Sequence, residues 1–103
     1  MTGAILVLRN TEKMSLEGLK KFKQELTQRK IDFFVANNIK ALFVMKTNNF
    51  YISSYNKKHY CHLKEKNKKI NIVGSAHNFS EINEKIKQGC SQIFLSRLFE
   101  TNY

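Results

Sequence analysis

The stretch Ile72–Ser96, IVGSAHNFSEINEKIKQGCSQIFLS, contains the pattern that decides the fold. It begins with apolar, β-branched residues, which are typical of a buried strand. Asn78 and Glu81 follow with the spacing of a helix N-terminus, and Gly89 has the position of a helix C-terminus. Between these two signals, three apolar residues mark one helix face at helical spacing: Phe79, Ile82 and Ile86. QIFLS at the end is again typical of a strand, so the stretch predicts a strand–helix–strand unit.

The same alternation extends towards the N-terminus. The predicted strands are Ala4–Arg9, Ile31–Ala36, Asn49–Ser53, Ile70–Ala76 and Gln92–Ser96. Ser15 is predicted to cap a first helix with apolar positions at Leu16, Leu19, Phe22 and Leu26, and Asn38–Lys46 is predicted to be a second, short helix. Strands that alternate with helices at such short intervals predict an α/β fold with a parallel sheet and right-handed crossovers. With 103 residues, the chain is one small domain at most.

The net charge of +10 raises the question of a nucleic-acid partner. Fifteen of the eighteen basic residues are lysines, and asparagine and isoleucine are abundant too, a composition that AT-rich codons produce without selection for a polyanion. This composition therefore weakens the case for a nucleic-acid partner. One run, NKKHYCHLKEKNKK (Asn56–Lys69, here called the basic segment), keeps a basic nucleic-acid-associating module as an alternative. This segment is predicted to be a loop with a helical turn or a short helix.

The sequence gives little sign of export, membrane insertion or a structural metal. No run approaches the ~18 apolar residues of a membrane span, and the N-terminus lacks the basic start of a signal peptide, so we expect a cytoplasmic protein with no membrane partner. Cys61 and Cys90 do not form a C-x-x-C pair and are expected to be reduced thiols. His59, Cys61 and His62 lack a second ligand pair at zinc spacing. The aromatic residues Phe33, Phe34, Phe43 and Phe94 are expected in the core.

Ser75 and His77 stand out because they lie at the C-terminal end of a predicted strand. In α/β proteins this edge of the sheet is where ligands bind. Two interpretations remain open from the pattern alone. Ser75 is either a ligand contact or a small residue beneath a helix, and His77 is either a chemical group or a helix-entry residue bonded to backbone.

The segment IVGSAHNFSEINEKIKQGCSQIFLSRLFET (Ile72–Thr101) resembles the thiamine phosphate synthase and thiazole tautomerase (TenI-like) superfamily. Members of that superfamily have a strand ending in Ser-x-His, a helix, a Gly-Ala-Asp-like turn, and a strand that runs into an aromatic-x-Thr segment. The matching positions are Ser75, His77, Gly89, Phe99 and Thr101. Upstream, ILVLRN, FFVANN and NNFYIS are similar in order and spacing to three earlier strands of the family, so the resemblance covers nearly the whole chain.

The resemblance implies a (β/α)₈ barrel with its active site at the C-terminal ends of the strands. The five predicted strands correspond to about the second through sixth of that barrel, and residues 1–103 are interpreted as a single partial barrel domain. Because eight strands need about 200 residues or more, we expect that this chain does not close a barrel by itself. Its unpaired strand edges make self-association an expectation.

The resemblance also implies roles for particular residues. Arg9 stands where the family's arginine contacts the pyrimidine pyrophosphate substrate. Ser75 and Thr101 match positions that face pyrophosphate or phosphate oxygens. The counterpart of His77 is a proton shuttle in the tautomerase branch, since imidazole titrates near neutral pH.

The chain departs from the family at both metal-ligand positions and at Thr11, where the family has a lysine. The carboxylates that hold Mg²⁺ in the family are replaced by Asn37 and Asn56, and neutral amides are poorer ligands for this hard cation. Asn37 is retained as a candidate substrate-binding residue. We therefore expect a thiamine phosphate synthase-like protein, truncated or catalytically degenerate, that recognises a phosphorylated thiazole or pyrimidine. The synthase reaction couples thiazole phosphate with hydroxymethylpyrimidine pyrophosphate; a TenI-like thiazole tautomerase is the alternative within the superfamily.

Overall fold

A computed structural model describes residues 6–95 of the chain. Five strands alternate with helices, and the described strand pairs β1–β2, β2–β3 and β4–β5 are all parallel. The predicted parallel α/β fold is confirmed. The chain divides into two compact units, of which the first ends at Tyr51 and the second begins at Ile52.

The first unit contains the elements up to the third strand. They are β1 (Leu6–Leu8), a 3₁₀ helix (Thr11–Lys13), α1 (Leu16–Gln28), β2 (Phe33–Ala36), α2 (Ile39–Val44) and β3 (Asn49–Ile52), the last of which crosses the boundary between the units. β2 pairs with β1 on one side and with β3 on the other. α1 and α2 pack against each other, and Lys23 Nζ of α1 donates a 2.7 Å hydrogen bond to the carbonyl of Met45 just after α2. The two helices therefore lie on the same face of these strands.

The caps of α1 explain its limits. Ser15 accepts a hydrogen bond from the backbone N–H of Gly18 at 3.0 Å, which confirms the predicted N-cap. At the other end, Lys30 adopts a left-handed φ of 57°, and Ile31 N–H donates to the carbonyl of Leu26 at 2.9 Å. This is a Schellman motif with lysine at the position that glycine usually occupies. α2 ends in the same way at Lys46, with a φ of 51°.

The core of the first unit lies between its helices and strands. Its buried members are Leu8, Leu19, Leu26, Phe33, Val35, Ala41 and Met45. Leu19 and Leu26 come from the predicted apolar face of α1, whereas Leu16 on the same face is 49% exposed. Burial of each large apolar side chain contributes about 1.5–3 kcal/mol.

The second unit contains α3 (Cys61–Lys66), β4 (Asn71–Ala76), α4 (Phe79–Gln88) and β5 (Gln92–Leu95). β4 and β5 are paired in parallel, and α4 packs against both. Gly89 ends α4 with a left-handed φ of 110°, as the sequence predicts. The predicted strand–helix–strand unit is therefore confirmed.

The buried face of α4 differs from the one that its apolar residues suggest. Phe79 is 81% exposed and Ile86 57% exposed, whereas Lys85 and Gln88 are completely buried. The reason is that polar partners for these two side chains lie in the loop after β3, as described below.

The expectation that four phenylalanines lie in the core is right for Phe33 and wrong for two others. Phe43 on α2 is 59% exposed and Phe94 on β5 is 42% exposed. Phe34 is half-buried. The described part of β5 pairs with β4 alone, so its side chains are less covered than those of β4, in which every residue but Asn71 is buried.

Within residues 6–95, no helix combines the length and the apolar character that crossing a bilayer requires.

Candidate functional site

The carboxyl end of β4 places Ser75 and His77 where the sequence predicts them. A Cβ added to Gly74 would point at the side chains of Lys85 and Cys90, so this residue faces α4. Since neighbouring strand residues point to opposite faces, Ser75 points away from α4. Ser75 is 8% exposed and lies opposite Phe94 in the sheet register.

His77 follows β4 directly and is exposed. Its Nε2 lies 3.5 Å from the hydroxyl of Ser54, at the outer limit of a hydrogen bond. Its backbone N–H donates to the carboxylate of Glu81 at 2.7 Å, while Glu81 N–H donates to the side chain of Asn78 at 2.9 Å. These two bonds of Glu81 fix the entry into α4, and the imidazole ring of His77 lies at the surface beside a hydroxyl.

At the N-terminus of α4, the chain itself supplies a partner for the Glu81 N–H, the side chain of Asn78. A helix N-terminus favours negative charge, and here the Glu81 carboxylate lies in the first turn. This carboxylate disfavours a second negative charge directly on the first turn of α4.

A buried lysine supports the loop that follows β3. Lys85 Nζ donates to the Gln88 side-chain carbonyl at 2.8 Å and to the backbone carbonyl of Asn56 at 3.0 Å. It also lies 3.4 Å from the carbonyl of Ser54. Burial lowers the pKa of Lys85, because the ammonium form loses its hydration. The three carbonyl oxygens replace part of that hydration and hold the Ser54 backbone in place.

Gly74 lets these side chains pack against β4. A Cβ at this position would lie 2.7 Å from Cys90 Sγ and 3.0 Å from Lys85 Cδ. Burial raises the pKa of Cys90 to about 11, with a smaller opposing effect from the Lys85 charge, so its thiol is protonated at neutral pH. We therefore assign Cys90 a packing role.

Arg9 and Asn37 lie in the first unit, each just beyond the carboxyl end of a strand. Leu8 pairs with Val35 in the register, so the residues that follow β1 and β2 emerge at the same edge of this unit. Arg9 is exposed. Asn37 is half-buried, has a left-handed φ of 59°, and donates its backbone N–H to the carbonyl of Tyr51 at 2.9 Å.

Thr101 lies outside the described residues, as does Phe99. The predicted site residues are thus found as two pairs, Arg9 with Asn37 in the first unit and Ser75 with His77 in the second.

The resemblance noted in the sequence assigns Asn56 to a Mg²⁺-ligand position, and in the structure its side chain supports the local turn. Its Nδ2 donates to the hydroxyl of Tyr60 and its Oδ1 accepts the backbone N–H of Lys58, both at 3.0 Å. Among residues 6–95, no group of three His, Cys, Asp or Glu side chains is arranged to hold a metal ion. An amide held in this way does not fit the hard, oxygen-rich shell that Mg²⁺ prefers.

The sequence pattern did not single out three residues that shape this edge: Ser54, Lys85 and Gln88. Lys85 is one of many lysines and has the appearance of an exposed helix residue. The one signal available was its spacing, because Lys85 and Gln88 are three residues apart on one helix face. Their partners are backbone carbonyls about 30 residues away in sequence, which only the tertiary structure reveals.

No protein-family model matches this chain, and no curated protein is significantly similar to it.

Proposed function

We propose that this chain is a thiamine phosphate synthase-like protein that recognises a phosphorylated thiazole or pyrimidine at the carboxyl ends of its parallel strands. The proposal rests on the resemblance of Ile72–Thr101 and on one structural observation. That observation is the orientation of Ser75, whose hydroxyl lies at the end of β4 on the sheet face away from α4. In a barrel, this face is the interior, where substrates are bound.

The finer fold that we propose is part of a (β/α)₈ barrel, with the five strands equivalent to about the second through sixth. Two features of the first unit support it. Its strands follow chain order, β1–β2–β3, and its two helices pack together on one face. An advancing parallel sheet with helices on one face is how a barrel is built, whereas a doubly wound sheet also places helices on the other face.

In this proposal, Ser75 donates a hydrogen bond to a phosphate oxygen at the strand edge of the second unit, and Arg9 offers positive charge at the strand edge of the first unit. A hydroxyl can bind a phosphate oxygen without adding a counter-charge, and an arginine can do so through two N–H groups. Asn37 lies at the same strand edge as Arg9 and is proposed as a further substrate-binding residue. No step is assigned to Mg²⁺, because the amide of Asn56 is engaged in its own turn.

Calorimetry tests the proposal directly. The full chain is titrated with thiazole phosphate and with hydroxymethylpyrimidine pyrophosphate, and the unphosphorylated thiazole alcohol is the ligand control. Ser75→Ala is expected to weaken binding about tenfold or more, since a hydrogen bond to a charged group contributes ~1.5–3 kcal/mol. Ser80→Ala, an exposed serine on α4, is the matched control and should bind as the unaltered chain does.

Arg9→Ala has a matched control in Arg29→Ala, since both arginines are exposed and lie in the first unit. The proposal would be refuted if neither phosphorylated ligand gave a heat of binding. It would also be refuted if each variant lost as much affinity as its own control.

One observation favours the tautomerase alternative, namely the exposed imidazole of His77 beside the Ser54 hydroxyl. An imidazole that is open to solvent on one side is suited to moving a proton within a bound thiazole carboxylate. His77→Ala is then expected to abolish turnover of that tautomer while binding persists. His62→Ala, another exposed histidine of the second unit, should retain turnover. Equal activity of the two variants would count against a role for His77.

A further inference from the structure

The basic segment, Asn56–Lys69, concentrates the charge of the chain. It contains six lysines and one acidic residue, Glu65, so it carries half of the net charge of +10 in fourteen residues. The residues proposed to contact a small molecule do not use this charge, because Ser75 and Arg9 both lie outside the segment.

The charge is presented to solvent rather than neutralised. Five of the six lysines are exposed and the sixth is half-buried: Lys57, Lys58, Lys66, Lys68 and Lys69, with Lys64. In the described part of the chain, the segment makes one ion pair, between Lys57 and Glu84 at 2.8 Å. This contact raises the pKa of Lys57 and lowers that of Glu84, chiefly through the hydrogen bond between them. The other five lysines make no ion pair with described residues.

The backbone at the start of the segment, from Asn56 to Tyr60, is held in place by side-chain and backbone groups of α4. The buried Gln88 side chain donates to the carbonyls of Asn56 and Lys58, and Lys85 donates to Asn56 as well. Tyr60 N–H in turn donates to the carbonyl of Gln88 at 2.9 Å. A charged surface that is fixed before binding loses less conformational entropy when a ligand docks on it.

The side chains around the lysines favour a nucleic acid over a membrane. The large apolar residues of the segment point inward, with Tyr60 3% exposed and Leu63 2% exposed, so the segment offers no apolar anchor to a bilayer. It offers rings instead. His59 and His62 are exposed among the lysines, and Tyr55, immediately before the segment, is 73% exposed. Lysines that track phosphates beside exposed rings on which bases stack are typical of single-strand binding surfaces.

We propose that the basic segment is a docking surface for single-stranded nucleic acid, with phosphates on its lysines and a base stacked on Tyr55. Its residues differ from those assigned to the proposed phosphate site, Ser75, Arg9 and Asn37. Binding through it is driven by release of counterions and has little sequence preference.

The test is fluorescence anisotropy of the full chain with labelled 20-nucleotide oligo-dT and oligo-U, at salt concentrations from 50 to 300 mM. One variant reverses Lys58, Lys66, Lys68 and Lys69 to glutamate. Its matched control reverses Lys13, Lys20, Lys21 and Lys40, which are exposed in the first unit, and so has the same net charge. Because single strands give a slope of about −0.7 per phosphate contact, the first variant should flatten the log–log salt slope by about three and lose affinity about a hundredfold.

The control variant should lose less than about threefold, and Tyr55→Ala should lose about tenfold with an unchanged salt slope. If charge reversal impairs folding, the same lysines are replaced by glutamine in both quadruple variants. Circular dichroism then checks that these variants are folded before their affinities are compared. Equal losses in the two quadruple variants would show diffuse attraction to the whole chain and overturn the proposal. A flat salt response, or binding to vesicles of one-half phosphatidylserine without binding to either oligonucleotide, would also overturn it.

Discussion

Substituting Gly74 by alanine tests whether the close packing of α4 against β4 is as tight as the structure shows. The new Cβ would lie 2.7 Å from Cys90 Sγ, 3.0 Å from Lys85 Cδ and 3.3 Å from the carbonyl oxygen of Ile52. Overpacking of this kind costs ~1–3 kcal/mol, whereas removing a glycine from a strand returns ~0.5–1 kcal/mol. Gly74→Ala is therefore expected to lower the free energy of unfolding by about 1–2 kcal/mol.

A double-mutant cycle identifies the source of this loss. Cys90→Ala removes Sγ, the atom in the shortest of the three contacts. In that background Gly74→Ala should cost about 1 kcal/mol less than in the unaltered chain, because residues in contact show non-additive effects. Recovery should be partial, since Lys85 Cδ remains close and its amine is held by carbonyl groups.

Urea unfolding measures each value from the midpoint, provided that the dependence of the free energy on urea stays constant. Gly18→Ala is the matched control in α1. Its Cβ would meet Ser15 Oγ at 3.2 Å, and alanine favours a helix by ~1 kcal/mol, so the variant should be neutral or more stable. Our account of the packing would be refuted by a Gly74→Ala chain as stable as the original, or by additive effects of the two substitutions.

Three further predictions use other features of the fold. Gly89→Ala should lower the free energy of unfolding by about 2 kcal/mol, measured with urea, because φ at this position is 110° and the new Cβ would lie 3.2 Å from Cys61 Cα. Lys30→Gly, at a φ of 57°, should raise it by up to ~1 kcal/mol. A change of the same sign in both variants would contradict the backbone argument. Lys85→Met should accelerate amide hydrogen exchange over residues 54–58, because it removes the hydrogen bonds to Ser54 and Asn56. Lys87→Met, at an exposed lysine, should leave the exchange rates unchanged. Unchanged exchange rates in both variants would rule out a supporting role for the buried amine. The raised pKa of Cys90 means that the folded chain binds the thiol proton more tightly than the unfolded chain does. Stability should therefore fall as the pH rises from 9.0, the ordinary pKa of a cysteine thiol, to about 11, the pKa of Cys90 in the folded chain. The lowered pKa of Lys85 acts with the opposite sign, since stability then rises with pH towards its ordinary value of 10.5. Cys90→Ala should therefore lose less stability between these pH values than Cys61→Ala, and equal losses would exclude the Cys90 thiol as the cause.

Local signals in the sequence were sufficient for the order of elements. β-branched runs predict the strands, and side-chain caps predict where helices begin, as Ser15 and Asn78 show. Gly89 marked the end of α4 because a left-handed residue is easiest for glycine. The ends of α1 and α2 carry no such mark, since lysines occupy the left-handed positions there.

Side-chain environments required the tertiary structure. Apolar spacing made Phe79 and Ile86 appear to be core residues of α4, but Lys85 and Gln88 are buried instead. The sequence of a helix shows which of its faces is apolar and which is polar. Whether a face is buried depends also on the groups of the segment that packs against it. Here the loop after β3 provides carbonyl oxygens that accept hydrogen bonds from Lys85. These hydrogen bonds lower the free-energy cost of burying its ammonium group.

The candidate site shows the same division. From the sequence it follows that Ser75 and His77 come at the end of a strand, because strand ends are local features. Only the structure decides that Ser75 faces away from α4, that Ser54 lies beside His77, and that the amide of Asn56 is engaged by Tyr60. The sequence thus determines which residues lie at the end of a strand. The interactions that each of them makes depend on which groups lie near it in three dimensions, because contact energies depend on distance in space.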